Sequence, residues 1–207
     1  MNMLEADEYQ TISVAQKAQL TVKGSRFIGH AFSSFTAEDA VNHIQSISKE
    51  YFDATHNCFA YRIGVGKTVI ERHSDAGEPS GTAGLPIFQA IESLQLTNLV
   101  VIITRYFGGT KLGTGGLVRA YRGATLKVLA NAPIIKDYVY LRLRLEFPYP
   151  LTGDVMHLLQ SFAAKIEGTE YGDVAKIIFS IRQSRKPGLS LKLTELAHLN
   201  IKVFEND

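Results

Sequence analysis

The chain has 207 residues, of which 45% are hydrophobic and 20% charged, and a formal net charge of +2. That length suits two small domains, and that balance excludes a disordered or fibrous chain. A single cysteine, Cys58, excludes an intrachain disulfide and a cysteine-based metal cluster, and the longest strongly apolar run, residues 99–103, is too short to cross a bilayer.

The opening segment MNMLEADEYQ carries acids where a secretory signal needs basic residues and an apolar run, so a cytoplasmic chain is expected. Residues 9–22 alternate and predict a strand, and residues 25–35 predict a second. Thr36 then opens a helix, with Asp39 as its capping partner and Val41, Ile44, Ile47 and Tyr51 at helical spacing. Residues 57–63 read as a strand whose hairpin partner, residues 68–73, lies across Gly64-Val65-Gly66. Pro79 predicts the start of a helix with Leu85, Phe88, Ile91 and Leu94 as its apolar stripe. Residues 99–104 form a short apolar strand expected to be buried on both faces. A glycine-rich loop leads from it into a helix over residues 116–130, with Leu117, Tyr121, Ala124 and Val128 on one side.

Asn131-Ala132-Pro133 ends that helix and divides the chain into residues 1–132 and 133–207. The second part reads strand (138–147), helix (152–163), strand (165–171), strand (174–182), helix, and a last strand (201–204), a ferredoxin-like βαββαβ order. Its weak point is Leu189-Ser-Leu-Lys-Leu, which alternates like a strand where the scheme needs a helix.

Three segments carry residue types with chemistry in them. Residues 105–117 pass through five glycines in nine positions and run into an amphipathic helix, which places free N–H groups and a positive dipole end beside a flexible backbone. No acid occurs between Glu92 and Asp137, while Arg105, Lys111, Arg119, Arg122, Lys127 and Lys136 fall there. The candidate anion or RNA contacts are therefore Arg105, Tyr106, Gly108, Gly109, Lys111, Gly113, Gly115, Gly116, Arg119 and Arg122, with Tyr106 and Phe107 available to stack on bases. Against this stands the plainer reading that the glycines only pack the loop on its own sheet. The segment from His73 to Gly84 holds Asp75 and Glu78, which could act as acid–base carboxylates, although residues of this kind before a helix are favoured as caps. His56 and Cys58 project to one face of a strand, and the expected reading is a hydrogen-bonded histidine beside an inert thiol. Catalytic candidates are thus confined to Asp75, Glu78 and His56. Gly64-Val65-Gly66-Lys67-Thr68 ends like a P-loop but lacks its first glycine and is followed by strand-forming residues, so a hairpin turn is expected. Six scattered histidines have no metal-ligand spacing, and neither metal nor cofactor is expected.

Taken together, HNCFAYRIG, SDAGEPSGTAG and TRYFGGTKLGTGGLVRAY, with KGSRFIG upstream, resemble the YigZ/IMPACT family over residues 21–129. The resemblance implies an α+β chain with a ribosomal protein S5 domain 2-like N-terminal domain, followed by a ferredoxin-like domain similar to the last domain of elongation factor G. One departure is Ala76, where the family carries a second acid after Asp75. Phe59 stands where a tryptophan is common. The family implies a link to regulation of translation. The expectation is a non-catalytic binding protein contacting RNA, the ribosome or a translation factor, with no membrane partner. Two alternatives stand beside it. One is an enzyme acting on a small phosphorylated substrate with the glycine loop as phosphate site, and the other is a protein-interaction regulator without nucleic-acid contact.

Overall fold

The computed structural model describes residues 7–196 and 200–205. The first six residues, on which part of the N-terminal reading rests, lie outside them. The chain separates into two compact units, Tyr9–Asp137 and the stretch from Tyr138 onward together with Asp7 and Glu8. The helix-ending proline at position 133 is not where the units part. After it the chain forms β7 (Ile134–Tyr138), which pairs with β1 (Glu8–Ile12).

The first unit is built on a five-stranded sheet in the order β2-β3-β6-β4-β5, from β2 (Gln16–Val22), β3 (Ser25–Ser33), β4 (His56–Ile63), β5 (Ile70–Ser74) and β6 (Leu99–Tyr106), with antiparallel neighbours throughout. Residues 9–22 are two strands, not one, because Ser13 N–H donates to Pro133 O (3.0 Å) and the chain leaves one sheet for the other. The central strand β6 is buried from Leu99 to Arg105. Its side chains alternate, so Leu99, Val101 and Ile103 join the core under α2 (Gly84–Ser93) and α3 (Thr114–Ala130), while Val100 and Ile102 join the core under α1 (Ala37–Glu50).

Thr36 caps α1 reciprocally with Asp39, at 3.0 and 3.1 Å. The start of α2 is Gly84, five residues beyond the predicted Pro79, because residues 79–83 are spent in a turn closed by Thr82 N–H to Pro79 O (3.1 Å). The buried stripe shifts accordingly to Ile87, Ala90 and Ile91, and Leu85 is exposed. On α3 the expected Leu117, Tyr121, Ala124 and Val128 are all buried. The P-loop-like residues form the link between β4 and β5. A single 3-10 turn, Gly66–Thr68, follows Gly64, whose N–H donates to Asn98 Oδ1 (2.8 Å), so no helix N-terminus meets that loop.

The second unit runs β8 (Tyr140–Phe147), α4 (Thr152–Ser161), β9 (Lys165–Tyr171), β10 (Ala175–Arg182), α5 (Lys186–Glu195), β11 (Lys202–Glu205). Its sheet order β11-β8-β10-β9, antiparallel throughout, is ferredoxin-like. Inward residues Leu143, Leu145, Phe147, Ile177, Phe179 and Ile181 pack on Val155, Leu159, Leu189 and Leu193. The strand-like LSLKL is helical: Leu189 and Leu193, four apart, are buried, while Leu191 between them is exposed. Pro187 in the first turn favours that helix and disfavours a central strand. No helix among the described residues is long and apolar enough to cross a membrane.

Candidate anion-binding site

Strand register brings the three chemical segments together at one end of the first sheet. Arg105 on β6 lies opposite Phe27 on β3 and His56 on β4. Being next in the row Leu99, Val101, Ile103, Arg105 points inward. It is 5% exposed, and its Nη1 donates to Glu78 Oε1 at 2.6 Å while Nη2 reaches Ser25 Oγ at 3.4 Å. Arg105 is therefore committed to an internal carboxylate and is not a surface contact for an incoming anion. Glu78 Oε1 also accepts from the Tyr121 hydroxyl (2.7 Å), and burial holds that phenol protonated. Its other oxygen, Oε2, is 3.9 Å from His56 Nε2, too far for a hydrogen bond.

Asp75 does not form an acid–base pair with Glu78. Its two oxygens accept from the amides of Gly81 (2.8 Å), Ala83 (2.9 Å) and Gly84 (2.9 Å), capping the first turn of α2 from a distance in sequence. Burial opposes its ionisation, but these three amides outweigh it and hold the carboxyl below its usual range. The ring of His56 is set by Nδ1, which donates to Ala76 O at 2.9 Å. Cys58 Sγ lies 2.9 Å from Asp75 O and 3.4 Å from the Tyr121 hydroxyl, and burial pushes its thiol up to about 12, which leaves it without a thiolate.

The loop from β6 to α3 divides the remaining candidates. Tyr106 shares the opposite face of the sheet. Its hydroxyl donates to Asp53 (2.6 Å) and Arg26 lies 4.5 Å over its ring, so it is not free to stack. Gly108 packs backbone on backbone: a Cβ there would fall 1.9 Å from the carbonyl carbon of Gly24. That glycine serves the fold, as does the Gly108 N–H bond to Ser25 Oγ (3.1 Å). Gly109 and Gly113 lie open at positive φ, and Gly113 (φ 69) precedes α3 without any side-chain cap. Lys111, Gly115, Arg119 and Arg122 are exposed, and Gly116 is half-buried. Arg119 folds back over the first turn, since a Cβ at Gly115 would sit 3.6 Å from its Nη1. Lys23, the first residue of the KGSRFIG motif and not among the candidate contacts, lines a small groove with Arg119, Gly116 and Leu112. Among the described residues no carboxylate pairs with Lys23, Lys111, Arg119 or Arg122, and α3 has no acid in its first turn.

A cavity of about 410 Å³ opens beside this helix end. Its lining includes His56, Glu78 and Arg105 together with Phe107, Lys111, Leu112, Gly113, Thr114 and Leu117.

Fold and site define an α+β protein of two units whose first unit presents a cationic helix end beside a cavity floored by a buried ion pair. Residues 23–129 match the family model described as the Impact N-terminal domain, and residues 145–198 match the one described as Domain of unknown function (DUF1949). The chain is 31% identical over 199 residues to the IMPACT family member YvyE of Bacillus subtilis, covering 96% of this chain and 91% of that protein. It is 30% identical over 113 residues to Protein IMPACT of Rattus norvegicus, covering 53% of this chain and 34% of that one. A crystal structure of a hypothetical protein shares the fold with a TM-score of 0.70 at 24% identity, over 97% of this chain and 98% of that one. The chain belongs to the IMPACT family.

Proposed function

We propose that this chain is a non-catalytic binding protein that docks RNA of the translation machinery on the first turn of α3. The observation that supports this reading is the set Lys23, Lys111 and Arg119, exposed around an uncapped helix N-terminus, with Arg122 exposed two turns further along α3, none of them with a carboxylate partner among the described residues. Cations gathered at the positive end of a helix repel one another and the dipole, and a bound phosphate removes that conflict. The regulation of translation that the family implies gives the setting. Binding of a single-stranded RNA oligomer is expected to weaken as salt rises. The double variant Arg119→Ala/Arg122→Ala, two exposed positions, is expected to lower affinity and to flatten the log–log salt dependence by about 1.4, at about 0.7 per lost phosphate contact on a single strand. Its melting temperature is expected to stay within a degree or two. A folded wild-type protein that binds no RNA at low salt would end this reading.

One observation favours a catalytic second reading: His56, its Nδ1 held by Ala76 O, lines the same cavity as Lys111. Turnover of small phosphate esters that is lost in His56→Asn would carry it, and a flat panel of substrates would remove it.

A further inference from the structure

The cavity at the head of α3 presents hydrogen-bond acceptors to whatever enters it. The Glu78 side chain is 3% exposed, and its Oε1 is taken by Arg105 and Tyr121. Its Oε2 has no hydrogen-bond partner among the described residues and lies 3.9 Å from His56 Nε2, and both residues line the cavity. Because a carbonyl only accepts, the His56 contact to Ala76 O places a proton on Nδ1, and a ring protonated there alone leaves Nε2 as an acceptor too. Two acceptors side by side in a largely buried lining are complemented by one group with two N–H donors, a primary amine on a flat ring or chain. A carbonyl in that place would face only lone pairs.

The part of the lining around Lys111 has the reverse character. Glu78 is balanced by Arg105, so the charge left over in the cavity is that of Lys111 and the first turn of α3, entered at Gly113 and Thr114. That part is complemented by phosphate. The lining also includes Phe107, 48% exposed, with Leu112 and Leu117, an apolar surface for a flat ring. The volume, about 410 Å³, falls in the range of small-ligand sites.

We propose that this cavity binds one nucleotide whose base carries an exocyclic amine, with the amine between Glu78 and His56, the ring along Phe107 and Leu117, and the phosphate at Lys111 and the α3 N-terminus. The proposal rests on the reading of this helix end as an anion site and adds to it a choice of base. A free mononucleotide and the unstacked end of an RNA strand present the same chemistry.

The full chain, titrated calorimetrically at low salt with CMP, UMP and cytidine, separates the three contacts. CMP and UMP differ by an amine against a carbonyl on the same ring, and cytidine lacks the phosphate. The expected result is saturable CMP binding, at least tenfold tighter than UMP and at least tenfold tighter than cytidine. Lys111→Ala, at an exposed position, is expected to weaken CMP at least fivefold and leave cytidine unchanged. Phe107→Ala, also at an exposed position, is expected to weaken both. Equal affinity for CMP and UMP, or no nucleotide binding by the folded protein, overturns the proposal. Displacement of CMP by oligocytidylate assigns the site to RNA ends, and failure to displace it assigns the site to free nucleotides. Both outcomes support the cavity site. If RNA binds in a salt-dependent way while CMP does not, the base site fails and RNA docking stands. If CMP binds with amine discrimination while RNA does not, RNA docking fails and the nucleotide site stands.

Discussion

At the scale of single residues, the chain places several side chains where their ordinary state is costly, and each exposes a measurable energy. His30 is 4% exposed, its Nε2 has no partner, and burial, aided by Lys17, pushes its imidazole down to about 4 from an ordinary 6.5. Between those values the unfolded chain takes up a proton that the folded chain refuses. Stability is thus complete above about pH 6.5 and falls as pH drops towards 4, where the folded form also protonates. The loss is on the order of 3 kcal/mol, since each pH unit between the two values contributes about 1.4 kcal/mol. Urea unfolding at pH 7 and pH 4.5 is expected to show it, and His30→Gln is expected to flatten the difference. Ala76 is a second case. It stands at φ 45 as the first central residue of the turn that Glu78 N–H closes on Asp75 O (2.9 Å), a conformation that disfavours a Cβ. The family's acid at this position therefore has a backbone reason, since short polar side chains tolerate the left-handed region, and no metal role is needed to explain it. Ala76→Asn is expected to stabilise by about 1 kcal/mol in thermal or urea unfolding.

At the scale of elements, the glycine loop has two tasks that the sequence could not separate. Gly108 allows β6 and the turn before β3 to touch backbone to backbone, while Gly109 and Gly113 shape an open approach to α3. Gly108→Ala would force a Cβ to 1.9 Å from Gly24 and must move one backbone or the other. We expect a loss of about 2–4 kcal/mol by overpacking and strain, with the loop displaced from its place above the cavity. The same substitution at Gly109, which meets nothing within 4 Å, is expected to show only the cost of its φ of 83. Helix existence was legible from periodicity for α1, α2 and α3. Capping by Asp75 was the favoured sequence reading, but the start of α2 was not legible, because that carboxylate lies nine residues before Gly84 and reaches the helix across a turn. The inward turn of Arg105 did have a signal. It is the next alternate residue after Leu99, Val101 and Ile103, and period two alone assigns it to the buried face.

At the scale of the whole molecule, each unit carries a separate hydrophobic core, one under α2 and α3 and one under α4 and α5. Phe179, fully buried in the second core, lies far in sequence from the candidate site. Phe179→Ala is expected to cost the second unit about 3–5 kcal/mol and to split thermal unfolding into two transitions. RNA binding measured below the first transition is expected to stay within twofold of wild type, and a loss in proportion to the lost stability would show that the second unit takes part.

What the amino-acid order determined unaided was the kind and succession of elements, since these follow from local periodicity, capping residues and turn chemistry acting over a few neighbours. Family membership was also legible, because it rests on contiguous motifs. What only the tertiary structure decided was which charges remain available. Arg105 looked like a site residue and is consumed by Glu78, Asp75 is spent on the amides of α2 in its favoured capping role, and Lys23, remote in sequence, stands beside Arg119. A charge is free or spent according to what strand register and helix packing bring within 3 Å of it, and neither is written in its own neighbourhood along the chain.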